Sequence, residues 1–89
     1  MSLFVAAYDI SRNASRRKVA GILLRYGRRL QESVFEVDLE GDDLTDLKRE
    51  VGPWLDADDL FDVFPIDTRR PKRRVRWQSP PYGDNVQLF

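Results

Sequence analysis

The 89-residue chain offers a restricted set of chemically reactive side chains, because it contains neither cysteine nor histidine. The absence of cysteine excludes disulfide scaffolds, zinc fingers and thiol nucleophiles. The absence of histidine removes the commonest general base and the commonest metal ligand. Any reaction must therefore use carboxylates, hydroxyls, arginines or a metal ion with oxygen ligands.

Asp9 is the first candidate for such chemistry. It follows Tyr8 at the end of an apolar segment and precedes a polar cluster at residues 11–15. Magnesium takes several oxygen ligands and keeps water for the remainder, so a lone aspartate holds it poorly, whereas two copies related by a two-fold axis could share one ion. The alternative is an ordinary turn residue at a strand end or an N-cap for the following helix.

Basic residues are concentrated in two blocks, although the formal net charge of the chain is zero. Residues 12–29 contain seven basic side chains and no acidic one, and residues 69–76 contain six basic side chains. Twelve of the fifteen basic residues are arginine, whose planar fork grips phosphate. Residues 32–62 carry twelve acidic side chains. A protein with separate basic and acidic surfaces can bind a polyanion on one surface and a basic partner on another.

Each basic block has two interpretations. The first block supplies candidate phosphate contacts, whose contribution to affinity falls steeply with salt: Arg16, Arg17, Arg25, Arg28 and Arg29. The second block precedes Trp77, and basic side chains beside an exposed aromatic ring suit backbone contact with base stacking. The alternatives are a solvated, salt-bridged helix surface and a disordered basic tail. The presence of two arginine-rich blocks on either side of an acidic segment favours the interpretation that the protein binds nucleic acid.

The elements that must position these residues begin with a strand and a helix. Residues 3–10 are apolar and include aromatic and β-branched types, which predicts a strand buried on both faces at the centre of a sheet. A helix is predicted over about residues 14–26, because apolar residues recur there at helical spacing: Val19, Ile22, Leu23 and Tyr26. Gly27 is then the C′ residue that ends the helix.

The remaining elements are three strands and one helix. Residues 28–31 are extended, and residues 33–40 alternate strictly between apolar and polar types, which predicts a half-buried strand. A turn at residues 41–43 caps a second helix, which Gly52 and Pro53 end. Residues 60–66 form a fourth strand. The order strand, helix, strand, strand, helix, strand predicts an α+β, ferredoxin-like split βαβ fold (βαββαβ).

The length allows one domain, and a single core of this size is marginal alone, so a dimer is expected. An additional short C-terminal strand is predicted at residues 75–78, which gives a domain of residues 1–78 and a Pro-rich tail of residues 79–89. The apolar end of this tail, residues 86–89, has no evident intramolecular role. No apolar run approaches the roughly 20 residues of a membrane span, and no signal peptide is recognised. We therefore expect a cytoplasmic protein without membrane contact.

Four short motifs resemble the Cas2 family of small CRISPR-associated proteins, which act in spacer acquisition beside the Cas1 integrase. They occur in the family's order and spacing between residues 3 and 66: Tyr8-Asp9-Ile10, Arg16-Arg17-Lys18-Val19-Ala20, Tyr26-Gly27 and Gln31-Glu32-Ser33-Val34-Phe35-Glu36. The first motif alone is weak. The first and the fourth motif together, in a chain of this size, are specific to the family.

The resemblance implies a homodimer in which the C-terminal strand of one chain pairs with the sheet of the other. It also implies that Asp9 is the ligand of a Mg²⁺ ion and the catalytic residue. Positions that the family associates with activity, together with Arg17 from the first basic block, form the expected nucleic-acid-binding set: Tyr8, Arg16, Arg17, Lys18, Arg29 and Phe35. Lys18 stands where some relatives have arginine, so it keeps the charge but lacks the bidentate fork.

Two hypotheses from different classes follow. In the first, the protein is a magnesium-dependent endonuclease that hydrolyses phosphodiesters in single-stranded RNA or double-stranded DNA, with a metal-activated water in place of a histidine base. In the second, it is a non-catalytic bridge that holds spacer DNA for the Cas1 integrase. A toxin-type ribonuclease of similar fold is a third interpretation, which the genomic neighbours would separate from a CRISPR role.

Overall fold

A computed structural model of the chain describes residues 2–66, 75–76 and 87–88. The elements follow the predicted order, with a short 3₁₀ helix after the second α-helix and two further short strands. In chain order they are β1 (Leu3–Asp9), α1 (Asn13–Leu24), β2 (Gly27–Gln31), β3 (Val34–Asp38), α2 (Asp43–Val51), the 3₁₀ helix (Gly52–Trp54), β4 (Leu60–Pro65), β5 (Val75–Arg76) and β6 (Gln87–Leu88). Within the described residues, no helix is long and apolar enough to cross a membrane.

The main sheet has four antiparallel strands in the order β2-β3-β1-β4. Strand β1 is central, and its Ala6 pairs with Phe35 of β3 on one side and with Val63 of β4 on the other. Each helix connects two strands that are not neighbours in the sheet, as the crossover of a split βαβ unit requires. The predicted ferredoxin-like βαββαβ fold is therefore confirmed.

The core lies between the sheet and the two helices. Alternate residues of the central strands face it, and Ala6, Phe35 and Val37 are fully buried. They pack with the apolar faces of α1 and α2, whose most buried members are Val19, Leu23, Leu47 and Val51. Burying a side chain of this size contributes roughly 1.5–3 kcal/mol, so these few residues hold the two layers together.

The opposite face of the sheet carries a second set of apolar residues. Val5 and Ala7 of β1 and Val34 of β3 alternate with the core residues and are only partly buried. Leu60 and Phe64 of β4 lie on the same face and remain 59% and 53% exposed. In the described part of the chain, both helices pack on the other side. We call this apolar surface the open sheet face.

The first helix ends earlier than predicted, and Gly27 has a different role. Helix α1 ends at Leu24, Arg25 is its C-cap, and Gly27 begins β2. Among the described glycines only Gly41 has a positive φ, so the predicted C′ role of Gly27 is wrong. At Gly27 the backbone runs so close to β3 that a Cβ atom would lie 1.9 Å from the carbonyl oxygen of Glu36. Strand pairing is what requires a glycine here.

The two short strands form a hairpin of their own. Strand β5 pairs with β6, with Val75 opposite Leu88 and Arg76 opposite Gln87. The additional strand predicted at residues 75–78 is confirmed for residues 75–76. The expectation that the apolar end has no intramolecular role is wrong for residues 87–88. Residues 77–78, Trp77 included, and most of the second basic block lie outside the described residues, and the domain boundary after residue 78 remains a prediction.

Candidate functional site

Asp9 is the last residue of β1 and pairs with Leu60 at the start of β4. Side chains alternate along a strand, and the neighbouring Tyr8 and Ile10 are buried beneath the helices. The side chain of Asp9 therefore lies at the end of the open sheet face. It is exposed, and within residues 2–66 no hydrogen bond or ion pair occupies its carboxylate. A carboxylate in this state is available for a ligand.

The turn that follows Asp9 is held by hydrogen bonds on two sides. Nη1 of Arg16 donates to the carbonyl oxygens of Ile10 and Ser11, at 2.9 and 3.1 Å. The backbone N–H and the hydroxyl of Ser11 donate to Oδ1 of Asp59, at 3.2 and 3.4 Å. The turn is thus tied both to α1 and to the loop that precedes β4.

The loop before β4 is itself held by its aspartates. The backbone N–H of Asp56 donates to Oδ2 of Asp59 at 2.8 Å. This bond is the largest cause of the lowered pKa of Asp59, and the bonds from Ser11 add to it. Arg12, the N-cap residue of α1, forms an ion pair with Asp56 at 3.0 Å. Two members of the acidic segment therefore support the turn beside Asp9.

Three of the expected nucleic-acid contacts belong to one row of side chains that crosses the sheet. The Tyr8 ring stacks with Phe35, at 6.2 Å between ring centroids, and with Phe61, at 6.4 Å. The guanidinium of Arg29 lies 5.0 Å from the Phe35 centroid and ends the row at β2. Arg29 is exposed. The row therefore begins with packed aromatic rings and ends with a positive charge that a ligand can reach.

Burial gives Tyr8 and Phe35 a packing role. Phe35 is fully buried, and Tyr8 is 8% exposed. The Tyr8 hydroxyl donates to the backbone carbonyl of Glu32 at 3.3 Å. Stacking on a base would require either ring to leave the core, and a nucleic-acid contact at these two positions stays a prediction. Their packing keeps the three strands around Asp9 in register.

Two of the candidate phosphate contacts are already engaged in ion pairs. Arg25 pairs with Glu50 of α2, which also accepts a hydrogen bond of 2.9 Å from the Tyr26 hydroxyl. These donors lower the pKa of Glu50, the Arg25 bond most, whereas burial and the bond to Glu50 raise the pKa of Tyr26. Arg28 pairs with Glu36 of β3 at 3.3 Å. The pair of Arg25 with Glu50 therefore holds the end of α1 against α2, and the pair of Arg28 with Glu36 holds β2 against β3.

Two neighbouring basic residues of α1 have accessible charges. Arg17 is exposed and has no partner within the described residues. Lys18 is also exposed, and its ammonium lies 5.5 Å from the ring centroid of Trp54 in the 3₁₀ helix. Within residues 2–66, Arg17 on α1 and Arg29 on β2 are thus the arginines whose charge is free of a carboxylate partner and accessible to phosphate.

Asp62 is a second carboxylate close to Asp9. The pairing of β1 with β4 sets Ala7 opposite Asp62 and Asp9 opposite Leu60, so the two aspartates are diagonal neighbours on the open sheet face. Both are exposed and unpaired within residues 2–66. The described part of the chain contains no group of three or more acidic side chains arranged to hold a metal ion. One chain therefore offers two carboxylates but not a complete cation site.

A match to a protein-family model shows which family the chain belongs to. The model for "CRISPR associated protein Cas2" matches residues 1–74 of the chain. The chain belongs to the Cas2 family. The match includes every element from β1 to β4, so the resemblance carried by the four motifs is confirmed.

Individual members of the Cas2 family align with most of the chain. The CRISPR-associated endoribonuclease Cas2 3 of Synechocystis sp. is 32% identical over 82 residues, which cover 91% of this chain and 89% of the relative. The crystal structure of Streptococcus pyogenes Cas2 at pH 6.5 has a TM-score of 0.77 and 23% identity, and covers 86% of this chain and 99% of that one. A chain of a partial Cas6-RT-Cas1–Cas2 complex aligns over 100% of both chains, with a TM-score of 0.69 and 19% identity. These structures share the fold.

Sequence reasoning missed Asp59 and Asp62. The alternation within residues 60–66 could have placed Asp62 on the face opposite Phe61 and Val63, and pairing with β1 would then have brought it toward Asp9. No sequence signal identifies Asp59, because its partner Ser11 is 48 positions away in the chain.

Proposed function

We propose that the protein acts in CRISPR adaptation, the acquisition of new spacers, as a homodimeric, Mg²⁺-dependent endonuclease of the cytoplasm. Its reaction is phosphodiester hydrolysis in single-stranded RNA or double-stranded DNA, with Asp9 as the catalytic residue. Membership of the Cas2 family supports this proposal, and so does the name of the Synechocystis relative, an endoribonuclease.

The observation that carries the proposal is the placement of Asp9. Its exposed, unpaired carboxylate ends the central strand, and the turn after it is tied to α1 and to the loop before β4. Basic side chains with accessible charge follow on α1 and lie on β2. A metal-assisted phosphodiesterase needs a fixed carboxylate that can hold a cation, together with cationic side chains that bind the nucleic-acid backbone.

The donor set fits magnesium when two chains contribute to it. Carboxylate oxygens are the ligands that magnesium takes in proteins, and the ion keeps several waters. One chain supplies Asp9, with Asp62 as its neighbour, and a two-fold axis at this end of the open sheet face would add a second Asp9. Magnesium bound there would lower the pKa of a coordinated water and offset charge on the phosphate in the transition state.

The chain's own residues have separate tasks in this reaction. The Asp9 carboxylate would hold the cation and accept a hydrogen bond from a water molecule, and this bond would orient the water for attack on phosphorus. Arg17 and Arg29 bind backbone phosphates and hold the nucleic acid on the protein. Lys18 adds a point charge without a bidentate contact.

A second function is a DNA bridge between Cas1 subunits, and the distribution of charge favours it. Arg17 and Arg29, the exposed arginines of the first block without an ion pair, lie on α1 and β2, whereas Asp42, Asp43 and Asp46 are grouped at the start of α2. A chain can thus hold a polyanion on one surface and meet a protein with another. The match to a chain of a Cas1–Cas2 complex supports Cas1 as the partner. The bridge needs the arginines but not Asp9.

The salt dependence of binding tests the phosphate contacts that both functions require. For a duplex, the logarithm of the affinity falls linearly with the logarithm of the salt concentration, with a slope of about −0.9 per phosphate contact. We expect Arg17→Ala to weaken binding and to reduce this slope by about 0.9. Fluorescence anisotropy with duplex DNA and single-stranded RNA at several salt concentrations measures the slope.

Arg49→Ala is the matched control for Arg17→Ala. Arg49 is an exposed arginine of α2 that pairs with Asp46 at 3.6 Å, so its loss should leave the slope unchanged. A wild-type protein whose affinity does not respond to salt would contradict a role for arginine–phosphate contacts in either function.

The open sheet face is the proposed homodimer surface. Leu60 and Phe64 are large apolar side chains with more than half of their surface exposed. Contact with a second copy of the chain would remove this apolar surface from water. We expect Phe64→Asp to weaken dimerisation roughly 30-fold or more, because it places a charge in a desolvated contact. Sedimentation velocity at micromolar concentration measures the shift toward monomer.

Leu24→Asp is the control for the dimer surface. Leu24 is 54% exposed, close to the exposure of Phe64, but it lies at the end of α1 in the helical layer. Its substitution should leave the dimer intact. Dissociation by Leu24→Asp, with a stable dimer in Phe64→Asp, would move the interface to the helical layer.

A further inference from the structure

We propose that Arg16 is a positioning residue that fixes the turn after Asp9, and that it does not bind phosphate. The inference rests on the proposed function of Asp9. On sequence alone Arg16 and its neighbour Arg17 are equivalent, since both lie in the same basic motif. The structure separates them by what their guanidinium groups contact.

The guanidinium of Arg16 points back along the chain to the turn. Nη1 lies 2.9 Å from the carbonyl oxygen of Ile10 and 3.1 Å from that of Ser11. These are the two residues that directly follow Asp9. An Nη1 group carries two N–H bonds, so it can donate to both carbonyls. Arg16 is also partly buried, whereas Arg17 is exposed.

Asp59 completes the support from the other side of the turn. It accepts hydrogen bonds from the N–H and the hydroxyl of Ser11. The carbonyls of the turn are therefore held by Arg16 of α1, and the amide of Ser11 by the loop before β4. Since Asp9 lies at the junction of β1 with this turn, the two contacts fix where its carboxylate stands. Outer contacts that orient a ligand typically change metal affinity 10- to 100-fold when removed.

Three variants separate positioning from phosphate binding: Arg16→Ala, Arg16→Lys and Arg17→Ala. Mn²⁺ replaces Mg²⁺ as the probe, because free Mn²⁺ is counted directly by electron paramagnetic resonance. The salt slope of duplex binding reports phosphate contacts. Hydrogen exchange of the amides at residues 10–13 reports the turn itself.

We expect Arg16→Ala to lower Mn²⁺ affinity about tenfold, to speed exchange at residues 10–13 and to leave the salt slope unchanged. Arg16→Lys should recover part of the Mn²⁺ affinity, because an ammonium can still donate to a carbonyl. Arg17→Ala should reduce the slope by about 0.9 and leave Mn²⁺ affinity and exchange as in the wild type.

Glu50→Gln controls for a general loss of stability. It weakens the pair between Glu50 and Arg25 near the other end of α1, and it should not change Mn²⁺ affinity. Where Arg16→Ala does not fold, Asp59→Asn removes the support from the opposite side, and the same tenfold loss of Mn²⁺ affinity is expected.

A reduced salt slope in Arg16→Ala with unchanged Mn²⁺ affinity would overturn the inference, because Arg16 would then be a phosphate contact. That result would leave the proposed function intact. A wild-type protein that binds neither Mn²⁺ nor nucleic acid would overturn the proposed function and this inference with it.

Discussion

Alanine at Gly27 is expected to destabilise the fold severely. A Cβ atom at this position would lie 1.9 Å from the carbonyl oxygen of Glu36 and 2.7 Å from Cα of Val37, where β2 pairs with β3. Both contacts are with backbone, which cannot rotate away, so the strands must separate. We expect a cost of about 3 kcal/mol or more, large against the roughly 5–15 kcal/mol that stabilises a domain.

Thermal unfolding followed by circular dichroism measures the effect of Gly27→Ala. The expected result is a Tm lower by about 12 °C or more, or no cooperative transition. Gly21→Ala is the matched control, because Gly21 is an exposed position within α1 where a Cβ meets nothing within 4 Å. That variant should be about 0.5–1 kcal/mol more stable than the wild type. Equal Tm values for Gly27→Ala and wild type would show that the strands tolerate a side chain.

The order of the elements could be predicted because each segment carries its own local pattern. The strict alternation of residues 33–40 predicted a strand, and Val34–Asp38 forms β3. The role of Gly27 could not be predicted in the same way. A glycine after a helical segment fits both a left-handed C′ residue and a close approach of two strands. Only the register of β2 against β3 distinguishes them, and register depends on residues distant in sequence.

The same division between local and distant information applies to the candidate site. Asp9 could be placed at a strand end, because the apolar segment before it and the polar cluster after it are contiguous in the chain. Its surroundings were not predicted, since Asp59 and Asp62 come from about 50 residues later, and only Asp62 has a local signal, the alternation of its strand. Phe35 stands in a motif of the family, but its burial depends on packing against both Tyr8 and the helices. A motif does not distinguish a ring that packs from a ring that binds.

Replacement of Asp9 by asparagine is expected to have the second large effect, this time on activity. Asparagine keeps the size of the side chain but not the charge that holds a divalent cation. The Asp9 side chain is exposed and unpaired within residues 2–66, so the fold and the dimer should not change. We expect cleavage to fall about 100-fold or more, because the loss of a metal-held transition state removes several kcal/mol of stabilisation. Binding of nucleic acid should persist, since the phosphate-binding arginines remain.

Asp58→Asn is the matched control for Asp9→Asn. It makes the same chemical change at an exposed aspartate in the loop before β4, so the net charge of the two variants is equal. Cleavage by Asp58→Asn should match the wild type. An equal loss in both variants would attribute the effect to net charge and not to a site at Asp9.

The most direct measurement is the cleavage rate of the wild type and Asp9→Asn on single-stranded RNA and on duplex DNA, with and without magnesium. Light scattering first establishes that both proteins are unchanged dimers. We predict magnesium-dependent cleavage by the wild type and its loss in Asp9→Asn, with salt-sensitive binding in both. Cleavage by the variant at the wild-type rate would contradict the assignment of Asp9. No cleavage by either protein, with duplex binding retained, would contradict the nuclease and leave the DNA bridge as the function.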